Sequence, residues 1–317
     1  MTGIQQATFT AGYSSFTPIT ATGGTVTTTT IAGVPYKVHT FTAGGTFAVS
    51  SIGTTSGKVK ACVVAGGGAG GWGYSNPGNT LYVGGGGGAG GLLWYSGTAL
   101  YSGGPNNPLL TVSATSYAVT VGPGGTVTST PAPTNGGNSS IGALATATGG
   151  GRGGTAPNTY FNYNGTGGSG TAYPASAGGS GGGGGSPDNG GLTTYPGGAA
   201  SPSGQGFAGG YGTETGISAG SGGGATSAGQ NYPAGGNNGG NSWTNPDLGG
   251  TYSHGGATNT NTTTYISAVL PAANSGNGGL GPVNDGTGGW RDVTPYTNYM
   301  QGSSGIVIIY YPTDRSL

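Results

Sequence analysis

The stretch KVKACVVAGGGAGG (residues 58–71) holds both of the patterns from which this chain is built. Its first half, Lys58 to Ala65, is rich in β-branched and apolar residues and reads as a strand. Its second half is nearly side-chain-free, and in it Ala69 and Trp72 flank Gly70-Gly71 at a three-residue step. The same X-Gly-Gly-X step recurs at Ala89/Leu92, Arg152/Thr155, Asn189/Leu192, Asn238/Asn241, Asn277/Leu280 and Thr287/Trp290. A period of three matches an extended helix of the polyproline II type, which rises about 3.1 Å per residue and makes no internal hydrogen bonds. Such a helix satisfies its backbone only by bonding sideways, and glycine is needed wherever two backbones touch. The step is never sustained as Gly-X-Y, which excludes collagen. The expectation is a bundle of polyglycine-II helices, with the run Gly181 to Gly185 at its centre.

Composition supports this reading. The 317 residues include 80 glycines and 19 prolines, and only 4% are charged, against roughly 25% in an ordinary soluble domain. Six basic and six acidic side chains cancel. The chain lacks the cations for phosphate recognition and has no polybasic stretch for anionic lipids, so neither nucleic acid nor membrane insertion is expected. Long helices are disfavoured, since each Gly costs about 1 kcal/mol relative to Ala. Disorder is the bland alternative for such a composition, but disordered chains usually carry high net charge and this one carries none. The longest apolar run, Ile306 to Tyr311, is far short of a membrane span. The opening MTGIQQATFTAG lacks the basic and apolar regions of a secretory signal, so none is expected. The single cysteine, Cys62, excludes an internal disulfide.

Strands are expected at Tyr36 to Thr42, Phe47 to Ser50, Lys58 to Ala65, Leu109 to Ser113, Tyr117 to Val121 and Ile306 to Tyr311. The last is apolar throughout, as in a central strand covered on both faces. The fold class is therefore mostly β and irregular, essentially without α-helix. Both chain ends form a small β-sandwich that frames the polyglycine-II bundle. Three regions follow: a Thr-rich segment 1–35, serving as an edge strand or an arm for docking another protein; a β-rich domain 36–121 completed by strand 302–312; and the bundle at 122–301. Lys37, Lys58 and Lys60, the only lysines, are expected on the solvent face.

The strings VHTFTAGGTF (38–47), KVKACVVAGGGAGG (58–71), GGGGAGGLLW (85–94), YAVTVGPGG (117–125), NGGNSSIGALATATGGGRGG (135–154) and GSSGIVIIYYP (302–312) occur in succession. Over roughly residues 36–312 this resembles the glycine-rich domain of bacteriophage tail fibres and tail-tip adhesins. The resemblance implies a virion protein that recognises a host-cell surface glycan or protein. It further implies an attachment to other tail proteins through the N-terminal segment, and a homotrimer or a cap on a trimeric fibre. The central loops match no fixed motif, so receptor identity does not carry over.

No catalytic constellation stands out from the glycine background. Gly178 to Gly182 fits G-x-S-x-G by chance, with no strand before it. His39 and His254 are far apart without a cysteine partner, so no transition-metal site is expected. Asp188, Asp247, Asp285 and Asp292 sit in turn-like contexts, where backbone hydrogen bonding is the ordinary role and calcium the weaker alternative. The chain is expected to be no enzyme and to carry no cofactor or metal. What remains is loop composition. Tyr, Trp, Asn, Ser, Thr and Gly are mixed there as in antibody paratopes, where rigid aromatics and adaptable polar groups share the contact. Three loops concentrate them: 155–166 with Tyr160 and Tyr163, 241–252 with Trp243 and Tyr252, and 290–300 with Trp290, Tyr296 and Tyr299. These seven are the expected receptor-binding residues; the alternative is that the aromatics plug the ends and flanks of the bundle. The expected function is a phage adhesin. The alternative is a self-assembling extracellular filament protein, and an ice-binding protein is a more distant third.

Overall fold

The structure is a computed structural model that describes residues 15–75, 81–100, 107–127, 133–155, 174–185, 194–213, 219–231, 238–258, 272–281 and 300–314. The named elements are strands: β1 (Thr20–Thr22), β2 (Thr25–Ile31), β3 (Val34–Phe41), β4 (Gly45–Ser51), β5 (Lys58–Val64), β6 (Tyr74–Ser75), β7 (Leu81–Tyr82), β8 (Leu92–Tyr95), β9 (Leu110–Thr111), β10 (Ser116–Thr120), β11 (Ser139–Ile141), β12 (Ala145–Ala147), β13 (Trp243–Thr244), β14 (Thr251–Tyr252) and β15 (Ile306–Pro312). One antiparallel sheet runs β1-β4-β10-β11-β12 and a second runs β2-β3-β15-β5-β8, with β9 also paired to β5. The C-terminal strand β15 lies between β3 and β5, so the two ends of the chain close one sheet.

Alternation along β15 explains why this strand is apolar at every position. Val307, Ile309 and Tyr311 point into the core between the two sheets, with Phe41, Phe47, Val49, Val63 and Ile141. Ile306, Ile308 and Tyr310 point the other way, into a second cluster with Cys62, Val64, Leu92, Trp94 and Trp243. Each such side chain contributes about 1.5–3 kcal/mol when fully buried. Lys58–Val64 carries the same two-faced pattern one strand over. The expected strands are present with their ends shifted by a residue or two. Strands β8, β11 and β12 are additional: they are short, and two of them consist only of Ser, Ala, Thr and Ile next to glycine. The Thr-rich segment 1–35 contains two sandwich strands from Thr20 onward, and β2 is the edge strand of the second sheet.

Beyond the sandwich the chain becomes a laterally bonded lattice. Along residues 65–71 the N–H groups donate in strict rotation. Ala65, Gly68 and Gly71 donate to Gly91, Gly88 and Gly85; Gly66 and Ala69 donate to Gly137 and Thr134; Gly67 and Gly70 donate to Ser303 and Met300, all at 2.7–3.1 Å. The carbonyls accept from three further runs: Gly66 and Ala69 from Gly150 and Gly153, Gly67 from Gly125, and Gly68 from Gly279. One extended run is therefore tied to six neighbours, one hydrogen-bond direction per residue of a three-residue turn, which is polyglycine-II packing. The run 85–91 repeats the arrangement. So does 181–185, whose five glycines are buried and whose first four are bonded to runs on several sides, as expected of a central helix.

Close approach sets the composition. At Gly183 a Cβ would fall on the carbonyl oxygen of Gly220. No rotamer relieves such a clash, because the obstacle is backbone. Where the lattice ends, side chains replace the missing neighbour. Asn135 and Asn138 accept from the N–H of Arg152 and Gly149, both at 2.9 Å; Asn231 accepts from Tyr211 at 2.9 Å; Asn277 accepts from His254 at 2.9 Å. The asparagine amide thus stands in for the next peptide group.

His39, at the base of the β1–β2 turn, is fully buried. Its Nδ1–H donates to the Gly23 carbonyl at 2.8 Å, and Nε2 accepts from the Tyr311 hydroxyl at 3.0 Å. Burial holds its pKa below the ordinary 6.5, against the pull of the Gly23 bond; His254 is lowered by burial too.

Two predictions follow from these features. Gly183→Ala lowers the thermal midpoint by several degrees, since overpacking costs about 1–3 kcal/mol or more. Ala177→Val, at an exposed position of a neighbouring run, leaves it nearly unchanged. Midpoints from calorimetry check this. Stability is also full above pH of about 6.5 and falls below it. There the unfolded chain binds protons that folded His39 and His254 refuse, at a cost of up to about 1.4 kcal/mol per pH unit for each. With only six carboxylates in the chain, little else titrates in this range. Denaturant unfolding between pH 7 and 5 reads the slope, which flattens in His39→Gln.

Candidate functional site

The lattice brings the described ends of several intervening segments to one end of the molecule. The run 65–71 leaves the sandwich at the end of β5, so Gly71 is its far end. Lateral bonds join Gly71 to Gly85, Gly85 to Gly154, and Gly154 to Gly183, which sets a common level. One residue further out, Gly184 bonds to Gly210 and Gly220, and Gly212 pairs with Tyr195. Thr258 bonds to Ala219, and Ala257 accepts from Gly281. The chain thus departs from this far end after Trp72, Thr155, Gly185, Thr213, Thr258 and Gly281. It re-enters there at Val83, Pro174, Thr194, Ala219 and Met300, while after Thr258 it is next described at Ala272, near the sandwich.

The turns at the opposite end lie against the sandwich. Gly179 bonds to Gly149, the Gln205 carbonyl accepts from Leu92, and Ala225 bonds to Ser253 beside Ser275. The scaffold therefore has two unlike ends: one occupied by packed strands, the other by the departures and returns of long polar and aromatic segments.

Of the seven expected receptor-binding residues, Tyr160, Tyr163, Trp290, Tyr296 and Tyr299 lie outside the described residues. Their segments leave from Thr155 and Gly281 and return at Pro174 and Met300, all at the far end. Trp243 and Tyr252 are at the other end. They pair in the β13–β14 hairpin laid over the outer face of the second sheet. Trp243 is 6% exposed, its indole N–H donates to the Leu100 carbonyl at 2.8 Å, and its ring lies 4.9 Å from that of Trp94. Tyr252 is half-buried against the same cluster, and burial pushes its hydroxyl pKa up to about 12. Trp243 is thus a core side chain with no surface to offer a receptor. A flat sheet face of Val, Ile and Leu needs a large apolar cover, and this indole supplies it.

The hairpin is fastened by a polar group that sequence reading missed. The Asp247 carboxylate accepts from Lys60 Nζ at 2.7 Å and from the Tyr310 hydroxyl at 2.8 Å. Lys60 also stands over the rings of Tyr36 and Tyr310, at 5.7 and 5.9 Å. Burial, with the Asp247 bond second, pushes the Tyr310 hydroxyl far up. Lys60 is therefore not a simple solvent-facing lysine. The turn hydrogen bonds expected of Asp247 are made by buried Asn245 instead, whose Oδ1 accepts from the N–H of Asp247 and Leu248. The available signal was the register: Lys60 and Tyr310 are direct partners on β5 and β15.

Among the described residues no three His, Cys, Asp or Glu side chains are close enough to hold a metal. Ser180 of the chance G-x-S-x-G is buried and donates to the Gly224 carbonyl. A shallow uncharged hollow of about 200 Å³ is lined by Asn135, Asn138, Thr148 and Ser201.

A family model described as a glycine-rich domain matches residues 41–312. The chain belongs to that family. The match begins in β3 and ends at the last residue of β15, so it takes in both the sandwich and the lattice. A comparison with curated proteins finds no match.

Replacing Trp243 by Ala is expected to cost about 3–5 kcal/mol, as for other buried Trp residues. Thermal unfolding of the variant beside the wild type reads the difference.

Proposed function

We propose that this protein is a bacteriophage tail-fibre or tail-tip adhesin that binds a host-cell surface glycan or protein through segments carried at the far end of the lattice. The single observation behind this reading is that the bundle gathers the departures of 73–82, 156–173, 186–193, 214–218 and 282–299 at the end opposite the sandwich. Recognition proteins commonly hold variable loops on a rigid scaffold, because pre-ordering the flanks reduces the entropy lost on binding. The sequences of these segments include Tyr160, Phe161, Tyr163, Trp290, Tyr296 and Tyr299 among many Asn, Thr and Gly residues, a composition suited to stacking on sugar rings and to adaptable hydrogen bonding. The sandwich end is the end that joins the rest of the tail. In this reading the protein resides in the virion.

The test is attachment of purified protein to susceptible cells. Trp290→Ala weakens attachment by tenfold or more, since aromatic hot spots often contribute about 2 kcal/mol. Exchange of 282–299 for the corresponding segment of another adhesin redirects it without loss of fold. Because the net charge is zero, attachment changes little between low and high salt. Unchanged binding by both variants would overturn the assignment. Unlimited filaments in micrographs would favour a structural protein.

A further inference from the structure

Three of the four outer edges of the sandwich are closed. On β12, Gln205 Nε2 donates to the Thr146 carbonyl at 3.2 Å, and its Oε1 accepts from the N–H of Thr148 at 2.7 Å, just past the strand. On β8, the Gln205 carbonyl accepts from Leu92, and Tyr95 bridges to Asn107. The third edge, β1, is three residues long and its register is broken between Thr20 and Ala21. Short length, irregularity and side-chain cover are the usual ways of blunting an edge.

Strand β2 has none of them. It pairs with β3 over all seven residues from Thr25↔Thr40 to Ile31↔Val34 without a break. Among the described residues nothing bonds to its outer side. Its sequence TVTTTTI has no charge, no proline and no glycine. Thr29 and Ile31 are partly covered, the other five are exposed, and Val26 is 48% exposed. The hairpin into β3 turns in two residues, with Ala32 at φ 49° and Gly33 at φ 84°, a tight turn that matches the twist of the paired strands.

We propose that β2 is an interaction edge that pairs antiparallel with β2 of a second copy of this chain. The occupant is indicated by self-complementarity. About a twofold axis at Thr28, Thr25 faces Ile31, Val26 faces Thr30, Thr27 faces Thr29 and Thr28 faces itself. Every rung is then a pair of β-branched residues, the pairing that strands favour. No charge is brought onto a like charge. The nearest, Lys37, is one strand inward opposite Thr28. Two copies place their Lys37 Cα atoms about 14 Å apart at a strand spacing near 4.8 Å. That is beyond the screening length of about 8 Å at physiological salt. The contact is isologous and closes on itself, so it makes a dimer and not a filament. One pair of strands buries little area, so the dimer belongs to the weak class below about 1,200 Å². This twofold assembly differs from the threefold one that the family resemblance implies.

Sedimentation equilibrium of the full chain, from low to high micromolar concentration, is the direct test. The wild type is expected to go from monomer to dimer. Thr28→Lys, which sets two ammonium groups on the axis, weakens the dimer by about tenfold or more, whereas Thr28→Val retains it. Thr28 is exposed, so Thr28→Val keeps the wild-type unfolding midpoint, whereas Thr28→Lys, directly opposite Lys37 on β3, lowers it slightly. Hydrogen exchange of the wild type gives a second reading that needs no variant: alternate amides of β2 exchange fast in dilute solution and slow down at high concentration. A protein that stays monomeric throughout, a Thr28→Lys dimer as tight as wild type, or slow exchange of every β2 amide in the dilute monomer would each overturn the proposal.

Discussion

Every peptide group in a polyglycine-II run points its N–H and C=O away from its own chain, and the rest of this structure depends on where those groups go. An isolated run would leave them to water and would remain a flexible chain, since ordering glycine carries the largest backbone entropy cost of any residue. Six neighbours around one run satisfy all three directions of its threefold turn at once, as the bonds made by residues 65–71 demonstrate. The arrangement is cooperative for the same reason: no run is satisfied until its neighbours are present. Glycine is required because each of these bonds brings two backbones into contact. The dry interior of the lattice holds almost no side chains, so hydrogen bonds and close backbone contact replace the hydrophobic core.

Such a lattice needs something to set its register, and the sandwich supplies it. Strand β5 runs directly into 65–71, β10 into 122–126 and β12 into 148–155, while 84–91, 133–138 and 300–305 run directly into β8, β11 and β15. Six runs therefore start from positions that ladder pairing and a two-layer apolar core have already fixed. The outer runs add to this seed. The sandwich holds the two apolar clusters of buried Val, Ile, Leu and Phe, and the β13–β14 hairpin, though drawn from the glycine-rich region, returns to cover its outer face.

The division of labour has a consequence for function. A scaffold held by main-chain bonds is largely indifferent to the identity of the segments between its runs, provided that they leave and return at the right points. The scarcity of charge is consistent with this design, because at the buried glycine positions of the lattice even a Cβ would meet backbone.

By itself the sequence determined the two local structures. Runs rich in β-branched and apolar residues mark the strands, a period of three in glycine marks the lattice runs, and Gly181 to Gly185 had to be central because nothing in it could reach outward. Local periodicity suffices there, since each pattern has one way to satisfy its backbone. Tertiary structure alone decided the rest. Whether Trp243 served a ligand or the core depended on which uncovered sheet face lay beneath it, and a two-residue strand carries no periodicity to announce that. Whether Lys60 faced solvent depended on Asp247, 187 residues away in sequence. That the departures gather at one end follows from the direction in which each run is traversed, and direction is set by lateral bonds between residues far apart in the chain. A glycine looks the same from both ends, so the sequence of a run cannot say which way it goes.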